Sequence, residues 1–418
     1  MQEQLSRYAV GLDIGTTTVR CVVGHQEEGS VKPTIIAVTE APNTGMRKGV
    51  VVNMVKTAES IDKALESAER TSGHQIHEAT ISVNGSHIVG MSSKGVVAVG
   101  TQGHEIAEED LIRAEEAATV VQLPANRVIL QVTPRGYELD GQENIKDPIG
   151  MSGVRLEVDA HVITALIPHV KNLRTACEMT QTKPRETVLA GLAAAHSTLS
   201  DQQKENGVVL VDIGGSTTNL AVFEEGDLQH IAVLPVGSIQ ITNDLAIGLK
   251  TDLDVAEQVK LEHASLEPRG KNFAKQVTVT IDKEKHTFDT DEVDMIVEAR
   301  LEEIFELVNN ELRSIGRASK LPGGVVLTGG GANLKGVDHY AKHALQLPAR
   351  VINMRDYNGM TDNLSDPGYS TALGLMLIDL LASNASHKSS GGSGTSGIFD
   401  ALQGFSGKFG GLLRKFKP

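Results

Sequence analysis

Two stretches of the chain repeat the same order of apolar and polar positions. Residues 9–24 read AVGLDIGTTTVRCVVG and residues 208–222 read VVLVDIGGSTTNLAV, so each has an apolar run, Asp-Ile-Gly, hydroxyl residues and a second apolar run. β-Branched residues on both sides of a glycine-containing turn predict a hairpin rather than a helix. A further apolar run at residues 229–237 predicts a third strand in the second copy. The repetition indicates two related, pseudo-symmetric halves.

Apolar residues at helical spacing predict a helix after each hairpin, in MVKTAESIDKALESAERTSG (residues 54–73) and in a segment that begins with TNDLAIGLK (residues 242–250). A longer helix is expected between Asp291 and Ile315, with Asp291 as its cap. Its apolar stripe comprises Ile296, Val297, Leu301, Ile304, Phe305, Val308 and Leu312.

Two further segments stand apart from these halves. Residues 83–163 contain strand-like runs on both sides of the helical stretch AEEDLIRAEEAATVVQL, which predicts a small inserted α+β subdomain with its own sheet. Residues 383–397 read SNASHKSSGGSGTSG, a polar Gly/Ser-rich stretch without periodicity that predicts a flexible linker.

Composition narrows the class of protein. With 418 residues, 40% of them apolar and 22% charged, the chain is long enough for two or more compact soluble units. A net charge of −14 argues against a general nucleic-acid binder, so we expect no nucleic-acid partner. Cys21 and Cys177 give neither a disulfide framework nor a metal-ligand spacing, which fits a reducing cytosol. No signal-peptide pattern opens the chain, and no apolar run approaches the roughly 20 residues of a membrane-spanning helix.

The two hairpin turns predict a phosphate site. A sharp turn presents consecutive backbone N–H groups that attract anions, glycine allows close approach, and hydroxyl side chains add donors. An isolated Asp-Gly turn is an ordinary hairpin connector, but two copies at matching strand positions favour the phosphate site. The expected phosphate-binding residues are Gly15, Thr16, Thr17 and Thr18 in the first turn and Gly214, Gly215, Ser216 and Thr217 in the second.

Asp13 and Asp212 end their strands just before these turns. Two carboxylates that face a polyphosphate repel it unless a cation lies between them. Mg²⁺, usually bound through waters, is the hard cation that suits this arrangement. We therefore expect Asp13 and Asp212 to form a magnesium site.

A third glycine-rich element, GGVVLTGGGANLKGV at residues 323–337, has an apolar strand that runs into glycines, with a helix expected from about Leu334. Glycines between a strand and a helix N-terminus suit the sugar and phosphates of a nucleotide. There is no Walker A pattern, and the only GxGxxG match lies in the Gly/Ser linker, so P-loop and Rossmann folds are excluded. The expected nucleotide contacts here are Gly329, Gly330, Gly331 and Asn333.

Together these elements resemble the superfamily of actin, hexokinase and the heat-shock chaperone ATPases, whose nucleotide lies between duplicated halves. Within it the chain is similar, over nearly its whole length, to the bacterial cell-division family FtsA. The matching stretches are GLDIGTTTVRCVVG, GMRKGVVVNMVKTAESI, NIKDPIGMSGVRLEVDAHVIT, VLVDIGGSTTNLAVF, AEQVK, VVLTGGGANLKGV and DPGYSTALGLM.

The resemblance implies an α/β, actin-like, two-lobed fold with duplicated RNase H-like halves, an FtsA-type inserted subdomain, and a C-terminal amphipathic helix after a disordered linker. Residues 83–163 would be the insert, which contacts protomers and division proteins. Residues 251–322 would be the outer subdomain of lobe 2, which receives the C-terminal tail of the tubulin homologue FtsZ. The remaining units would be lobe 1 (1–82, 164–206 and about 360–382), the lobe 2 core (207–250 and 323–359), the linker (383–397) and the membrane helix (398–418).

Glu257 and Lys260, in AEQVK, match family positions that flank the ribose and adenine of ATP. Their alternative role is an ordinary surface ion pair at i, i+3. Ala190 falls near the position of the water-orienting Gln or Glu of active ATPases, while Ser216 and Asn219 replace a Gly and an Asp of the superfamily turn. Asn219 keeps an oxygen ligand but removes one charge from the metal site. We expect tight MgATP binding with slow hydrolysis, and no catalytic residue.

The last residues, IFDALQGFSGKFGGLLRKFKP, carry one acidic and four basic side chains, unlike the acidic remainder of the chain. Helical geometry gathers their apolar side chains on one face, and four glycines disfavour a helix in water. An anionic bilayer offers burial and attraction together, whereas docking on the protein's own body is the alternative. The expected membrane residues are Ile398, Phe399, Leu402, Phe405, Lys408, Phe409, Leu412, Leu413, Arg414, Lys415, Phe416 and Lys417.

The resemblance therefore predicts an ATP-binding protein that polymerises on the cytoplasmic face of the membrane at the division septum. It would tether FtsZ filaments to anionic lipids there and recruit later division proteins, with ATP as an assembly ligand. Three alternatives remain: an actin-superfamily sugar or small-molecule kinase, a heat-shock-type chaperone ATPase, and a PilM-like component of type IV pilus machines. The first needs a carboxylate base facing a sugar pocket, the second a substrate domain after the ATPase, and the third leaves the basic, Phe-rich tail unexplained.

Overall fold

The computed structural model describes residues 8–26, 32–100, 103–120, 123–268, 274–352, 354 and 357–388. The strands in these ranges are β1 Ala9–Ile14, β2 Thr18–His25, β3 Thr34–Pro42, β4 Met46–Arg47, β5 Val50–Val51, β6 Glu78–Val83, β7 Val89–Ala98, β8 Arg127–Leu139, β9 Gln142–Ile145, β10 Arg155–Leu166, β11 Lys183–Leu189, β12 Val208–Ile213, β13 Thr218–Glu224, β14 Asp227–Leu234, β15 Gln276–Ile281, β16 Glu284–Asp289, β17 Gly324–Thr328, β18 Ala349–Val351 and β19 Asn358–Gly359. The α-helices are α1 Met54–Ser72, α2 Glu108–Thr119, α3 Ile167–Glu178, α4 Ala190–Thr198, α5 Asp201–Asn206, α6 Ser238–Gly248, α7 Leu253–His263, α8 Thr290–Ser314, α9 Val337–Leu345 and α10 Ser370–Lys388, and short 3-10 helices span Gly330–Asn333, Asp362–Ser365 and Pro367–Tyr369.

Two sheets with the same strand pattern form the two lobes. In lobe 1 the order is β11-β6-β1-β2-β3-β19, and in lobe 2 it is β14-β13-β12-β17-β18. Each begins with an antiparallel three-strand meander, β1-β2-β3 or β12-β13-β14, and the first strand also pairs with a later parallel strand, β6 or β17. Both predicted hairpins, the third strand of the second copy and the duplicated halves are therefore confirmed.

Small residues bring α4 and α10 close to each other and to the sheets. A Cβ on Gly374 of α10 would lie 1.8 Å from the carbonyl oxygen of Ala193 on α4, and one on Gly11 of β1 would lie 2.0 Å from that of Ala372. Neither side chain fits, so α10 packs directly on α4 and β1. The alanine-rich α4 is buried on nearly every side because it contacts strands of both sheets.

The inserted subdomain has a sheet of its own, in the order β7-β10-β8-β9, with α2 packed on one face. Its core includes Leu111 and Ala114 of α2, Tyr137 of β8, and Leu156 and Val158 of β10. Alternate residues of β10 point to α2, which is the pattern of a sheet with one covered face. The predicted α+β insert is confirmed, and its last strand continues to Leu166 before α3 begins in lobe 1.

The outer part of lobe 2 contains α7, the β15–β16 hairpin and the long α8. The predicted helix is confirmed over Thr290–Ser314, but Asp291 as its cap is wrong. The Asp289 carboxylate accepts hydrogen bonds from the amides of Asp291 and Glu292 instead. The helix begins earlier because Thr290 is buried and its hydroxyl donates to the carbonyl of Ala274.

Three other predicted boundaries are wrong. Helix α6 begins at Ser238, ahead of the predicted Thr242, because the Ser238 amide donates to the carbonyl of Gly214 in the preceding turn. Helix α9 begins at Val337 rather than near Leu334, since Gly336 adopts a left-handed conformation with φ of 80°. Helix α10 continues to Lys388, into the stretch predicted as linker, because extending a formed helix costs little. In addition β19 pairs with β3, so residues 358–359 belong to lobe 1 rather than lobe 2.

Candidate nucleotide site between the lobes

A polar cleft lies where the duplicated turns of the two lobes meet, with a cavity of about 90 Å³. Ligand pockets usually measure about 300–1,000 Å³, so this enclosed part suits phosphates rather than a whole nucleotide. The lining residues are Asp13, Ile14, Gly15, Thr16, Thr17, Thr18, Arg20, Gly49, Asn84, Ala190, Asp212, Gly214, Gly215, Thr217, Ser238, Gly329, Gly330, Gly368 and Thr371. The structure thus brings most of the predicted phosphate and metal residues together.

The two turns have the same internal hydrogen bond. The Gly15 amide donates to the carbonyl of Thr18 at 3.1 Å, and the Gly214 amide donates to that of Thr217 at 2.9 Å. Within the described residues, the amides between these points, which include those of Thr16 and Gly215, donate to no other group of the chain. Successive free amides in a tight turn form an anion-binding nest, so each lobe offers one.

The turns also touch each other. The hydroxyl oxygens of Thr16 and Ser216 lie 2.8 Å apart, and Asn84 Nδ2 donates to Thr217 Oγ1 at 3.0 Å. A Cβ on Gly215 would lie 2.9 Å from Thr17 Cγ2, so only glycine allows this approach. Ser216 is buried in this contact and does not line the cavity.

Asp13 and Asp212 are both enclosed at the base of the cleft. Ser82 Oγ donates to Asp13 Oδ1 at 2.7 Å, and Asn219 Nδ2 donates to Asp212 Oδ2 at 2.9 Å. Burial raises the pKa of both carboxyls, against the lowering effect of these hydrogen bonds, and the pKa of Asp212 reaches about 6, with a smaller contribution from the charge of Asp13. A divalent cation relieves this cost of buried negative charge, so the pair fits Mg²⁺.

No set of three or more His, Cys, Asp or Glu side chains in the described residues could hold a metal by itself. The two aspartates would therefore bind Mg²⁺ together with waters and phosphate oxygens, as the sequence predicts. The prediction that Asn219 keeps an oxygen ligand for the metal site is wrong. Its amide nitrogen faces Asp212, so Asn219 orients that carboxylate and does not line the cavity.

The third glycine-rich element approaches the same aspartate. Gly329 has φ of 83°, and a Cβ there would lie 2.3 Å from Asp212 Oδ1, so a side chain is excluded. Gly330 lines the cavity, whereas Gly331 faces inward, where a Cβ would lie 2.4 Å from Ile213 Cγ2. Asn333 Nδ2 donates to Asp366 Oδ1 at 2.7 Å and does not line the cavity.

Glu257 and Lys260 lie on α7 and do not line the cavity themselves, but Lys260 contacts a residue that does. Lys260 Nζ donates to Glu257 Oε2 at 2.7 Å, to Thr242 Oγ1 at 2.9 Å and to the carbonyl of Ser238 at 3.4 Å. Ser238 itself lines the cavity. The pair is thus more than a solvated surface contact, and its role beside a nucleoside remains a prediction.

Several lining residues were not predicted from the sequence: Ile14, Arg20, Gly49, Asn84, Ser238, Gly368 and Thr371. Arg20 could have been found from hairpin register, since it stands opposite Asp13. Its guanidinium lies 5.2 Å from the centre of the Tyr369 ring and lowers the pKa of both aspartates as a minor contribution. Ala190 lines the cleft, in agreement with its predicted position.

The predicted membrane residues, Ile398 to Lys417, lie outside the described residues. In the ranges that the structure does describe, no helix is both long and apolar enough to cross a bilayer.

Sequence comparisons identify relatives along most of the chain. The family profile described as "Cell division protein FtsA" matches residues 209–374, and that described as "SHS2 domain inserted in FTSA" matches residues 85–164. The chain is 41% identical to cell division protein FtsA of Bacillus subtilis (strain 168), over 88% of this chain and 82% of that protein. It is 35% identical to cell division protein FtsA of Pseudomonas aeruginosa, over 90% of each.

Solved structures share the fold at much lower identity. The structure titled "PilM-PilN type IV pilus biogenesis complex" has a TM-score of 0.66 at 18% identity, and covers 89% of this chain and 98% of that chain. MreB5 of Spiroplasma citri bound to ADP has a TM-score of 0.53 at 14% identity, over 89% of this chain and 96% of that chain. The two-lobed actin-like architecture is therefore shown. With its SHS2-type insert and relatives that match nine-tenths of its length, the chain belongs to the FtsA family of cell division proteins.

Proposed function

We propose that this chain binds MgATP between its lobes, polymerises on the cytoplasmic face of the membrane and tethers FtsZ filaments there. Later membrane proteins of the division machinery would join this assembly at the septum. The observation that carries the proposal is the pair of equivalent turns that meet across the cleft, with Asp13 and Asp212 beside them. Family membership supplies the cell-division context.

Each lobe would contribute one anion nest to the phosphates, while the two aspartates hold the water shell of Mg²⁺. Because the ligand bridges both lobes, it stabilises their closed arrangement, and a closed protomer is the form expected to polymerise. The methyl side chain of Ala190, which lines the cleft, cannot orient an attacking water. Slow hydrolysis follows, which suits a nucleotide that acts as an assembly ligand.

The membrane part rests on the sequence of residues 398–418. One amphipathic segment binds a bilayer reversibly, so stable attachment needs several copies in one polymer. ATP-dependent polymerisation and membrane binding are then linked, because the polymer presents many tails at once.

We assign the FtsZ C-terminal peptide to the outer part of lobe 2, at the contact of its helix α8 with α6 of the lobe 2 core. Gly248 faces Ile296 at this contact, since a Cβ on the glycine would lie 2.5 Å from Ile296 Cδ1. The neighbouring side chains, Ile247 and Met295, are 77% and 64% exposed. Two exposed large apolar side chains beside one helix contact are suited to an apolar residue of a bound peptide.

Arg300 holds the same two helices together. Its Nη2 donates to Asp244 Oδ1 at 3.0 Å, and its Nη1 contacts Glu303. An Arg–carboxylate pair with two contacts to Asp244 fixes α6 against α8. The peptide surface would therefore be preformed.

The proposal is tested by co-sedimentation with vesicles that contain anionic lipid, with and without MgATP. The full chain is compared with one that ends at Gly397 and with a full-length Asp212→Asn variant. We expect only chains with the tail to pellet, and MgATP to increase pelleting of the unsubstituted chain but not of the variant. Should the full chain bind ATP and stay in the supernatant, membrane tethering is wrong.

A further inference from the structure

The inserted subdomain belongs to lobe 1 by connectivity but rests on lobe 2. Its strands β7, β8 and β10 lie against β14, the edge strand of the lobe 2 sheet. In the sheet as described, β14 has a strand neighbour only on the β13 side. Its outer backbone groups are instead met by side chains of the insert, so the insert bridges the two lobes at a second place outside the cleft.

Two β-bulges face each other at this contact. The register between β13 and β14 shifts so that Gln229 is an extra residue in β14, and the register between β10 and β8 shifts so that Arg135 is an extra residue in β8. A bulge redirects the groups of its extra residue out of the ladder. Arg135 Nε donates to the carbonyl of Gln229 at 2.8 Å, so the side chain of one bulge residue pairs with the backbone carbonyl of the other.

Arg135 also organises the rest of the contact. Its Nη1 donates to Ser92 Oγ at 2.8 Å, and its Nη2 lies 3.0 Å from His161 Nδ1. Because a guanidinium only donates, His161 Nδ1 must accept, and the proton of the neutral ring sits on Nε2, which faces the carbonyl of Ile231 at 3.4 Å. Burial, and to a smaller extent the nearby charge of Arg135, lowers the pKa of His161 to about 4. His161 is therefore neutral at pH 7 and can accept the hydrogen bond from Arg135.

Strand β14, which Arg135 and His161 contact, is linked to the base of the cleft through its neighbours in lobe 2. Ile231 is buried in the same hydrophobic cluster as Leu192 and Ala193 of α4, the helix that begins at the cleft residue Ala190. Val233 of β14 pairs with Asn219 of β13, whose side-chain amide donates to Asp212. A shift of β14 against the insert is therefore felt by groups at the base of the cleft, because close-packed contacts leave no slack.

We propose that Arg135 is a positioning residue that couples the insert to the nucleotide cleft: the Arg135–Gln229 contact holds the insert on lobe 2 when the lobes are closed around ATP. The inference rests on the proposed ATP binding. By linkage, ATP then fixes the orientation of the insert, and whatever fixes the insert strengthens ATP binding by the same factor. A polymer neighbour or division protein bound to the insert would thereby sense the nucleotide.

The test is hydrogen exchange of the full chain with and without MgATP, together with ATP affinity by titration calorimetry. The variants are Arg135→Leu and, in case that chain folds poorly, His161→Phe, which keeps a ring and removes both polar contacts. The matched control is Arg155→Leu, since Arg155 lies on β10 of the same sheet and its ion pair with Glu157 stays within the insert. Thermal unfolding verifies that each variant is folded.

We expect MgATP to slow exchange in the cleft turns, in β14 and in β8 and β10 of the unsubstituted chain and of Arg155→Leu. In Arg135→Leu or His161→Phe the slowing should remain in the cleft turns but disappear from β8 and β10. The dissociation constant of ATP should rise about fivefold or more, which is the lower end of typical allosteric couplings. An ATP response confined to the cleft turns of the unsubstituted chain overturns the coupling alone. No response anywhere, with no heat of ATP binding, overturns the proposed ATP binding and the coupling together.

Discussion

Thr16 Oγ1 and Ser216 Oγ lie 2.8 Å apart, although they belong to the two copies of the same turn in different lobes. The Thr16 hydroxyl also accepts from the Gly49 amide at 3.1 Å, so the contact is anchored in lobe 1. Duplicated turns that meet in this way would place two anion nests on one bound ligand. The lobes therefore meet where the phosphates are expected, so the proposed binding of ATP would favour their closed arrangement.

Asp212→Asn should weaken MgATP binding without loss of the fold. The substitution keeps the shape and removes the charge that would hold the hydrated cation, a type of contact that contributes about 1.5–3 kcal/mol. The dissociation constant of MgATP, measured by calorimetry, should rise about 10-fold or more. Binding of ATP with Mg²⁺ chelated should change much less, and an equal loss in both conditions would contradict a metal role.

The same residue should make stability depend on pH. The folded pKa of Asp212 is raised to about 6 from an ordinary value of 3.8, mainly by burial, so the folded state holds the proton more tightly. Its stabilising contribution is complete below pH 3.8 and is lost as pH rises through about 6. Without nucleotide, Asp212→Asn should therefore gain in melting temperature relative to the unsubstituted chain between pH 5 and pH 7. A difference that does not change with pH would show that Asp212 titrates normally.

Gly215→Ala should separate the lobes. The new Cβ would lie 2.9 Å from Thr17 Cγ2 and 3.0 Å from Thr17 Oγ1. We expect ATP binding at least tenfold weaker, and partial recovery in the double variant with Thr17→Ser, which removes Cγ2, keeps the hydroxyl expected to contact phosphate, and leaves Cβ at an ordinary 3.5 Å. Gly136→Ala is the control, because the nearest atom to its Cβ is 3.9 Å away. Equal losses in the single and double variants would exclude the steric explanation.

Ile247→Ser should weaken binding of a labelled FtsZ C-terminal peptide, measured by fluorescence anisotropy. Burying one large apolar side chain contributes about 1.5–3 kcal/mol, so a loss of about 10-fold or more is expected. The control is Leu261→Ser, which is similarly exposed at 73% but lies on a different helix, α7. If Leu261→Ser weakens the peptide as much as Ile247→Ser does, the assignment of the surface is wrong.

Local patterns were sufficient to predict the hairpins, the insert and the long helix. Strand periodicity and turn glycines act over a few residues, so Asp13 and Asp212 could be placed at the ends of their strands from the sequence. The duplication then predicted that the two turns lie together, because two equivalent turns in one chain imply a shared site. Helix ends were less predictable, since the cap at Asp289 depends on the burial of Thr290.

Tertiary structure alone decided which polar groups meet across the fold. Asn219 stands opposite Asp212 in the hairpin register, but only the packed sheet turns its amide nitrogen toward that carboxylate. Asn84 reaches Thr217 from the other lobe, and Arg135 meets Gln229 because two bulges coincide. Such contacts join residues far apart in sequence, and their geometry depends on how whole sheets pack. The sequence by itself determined the elements and their chemistry, and packing determined which donor serves which acceptor.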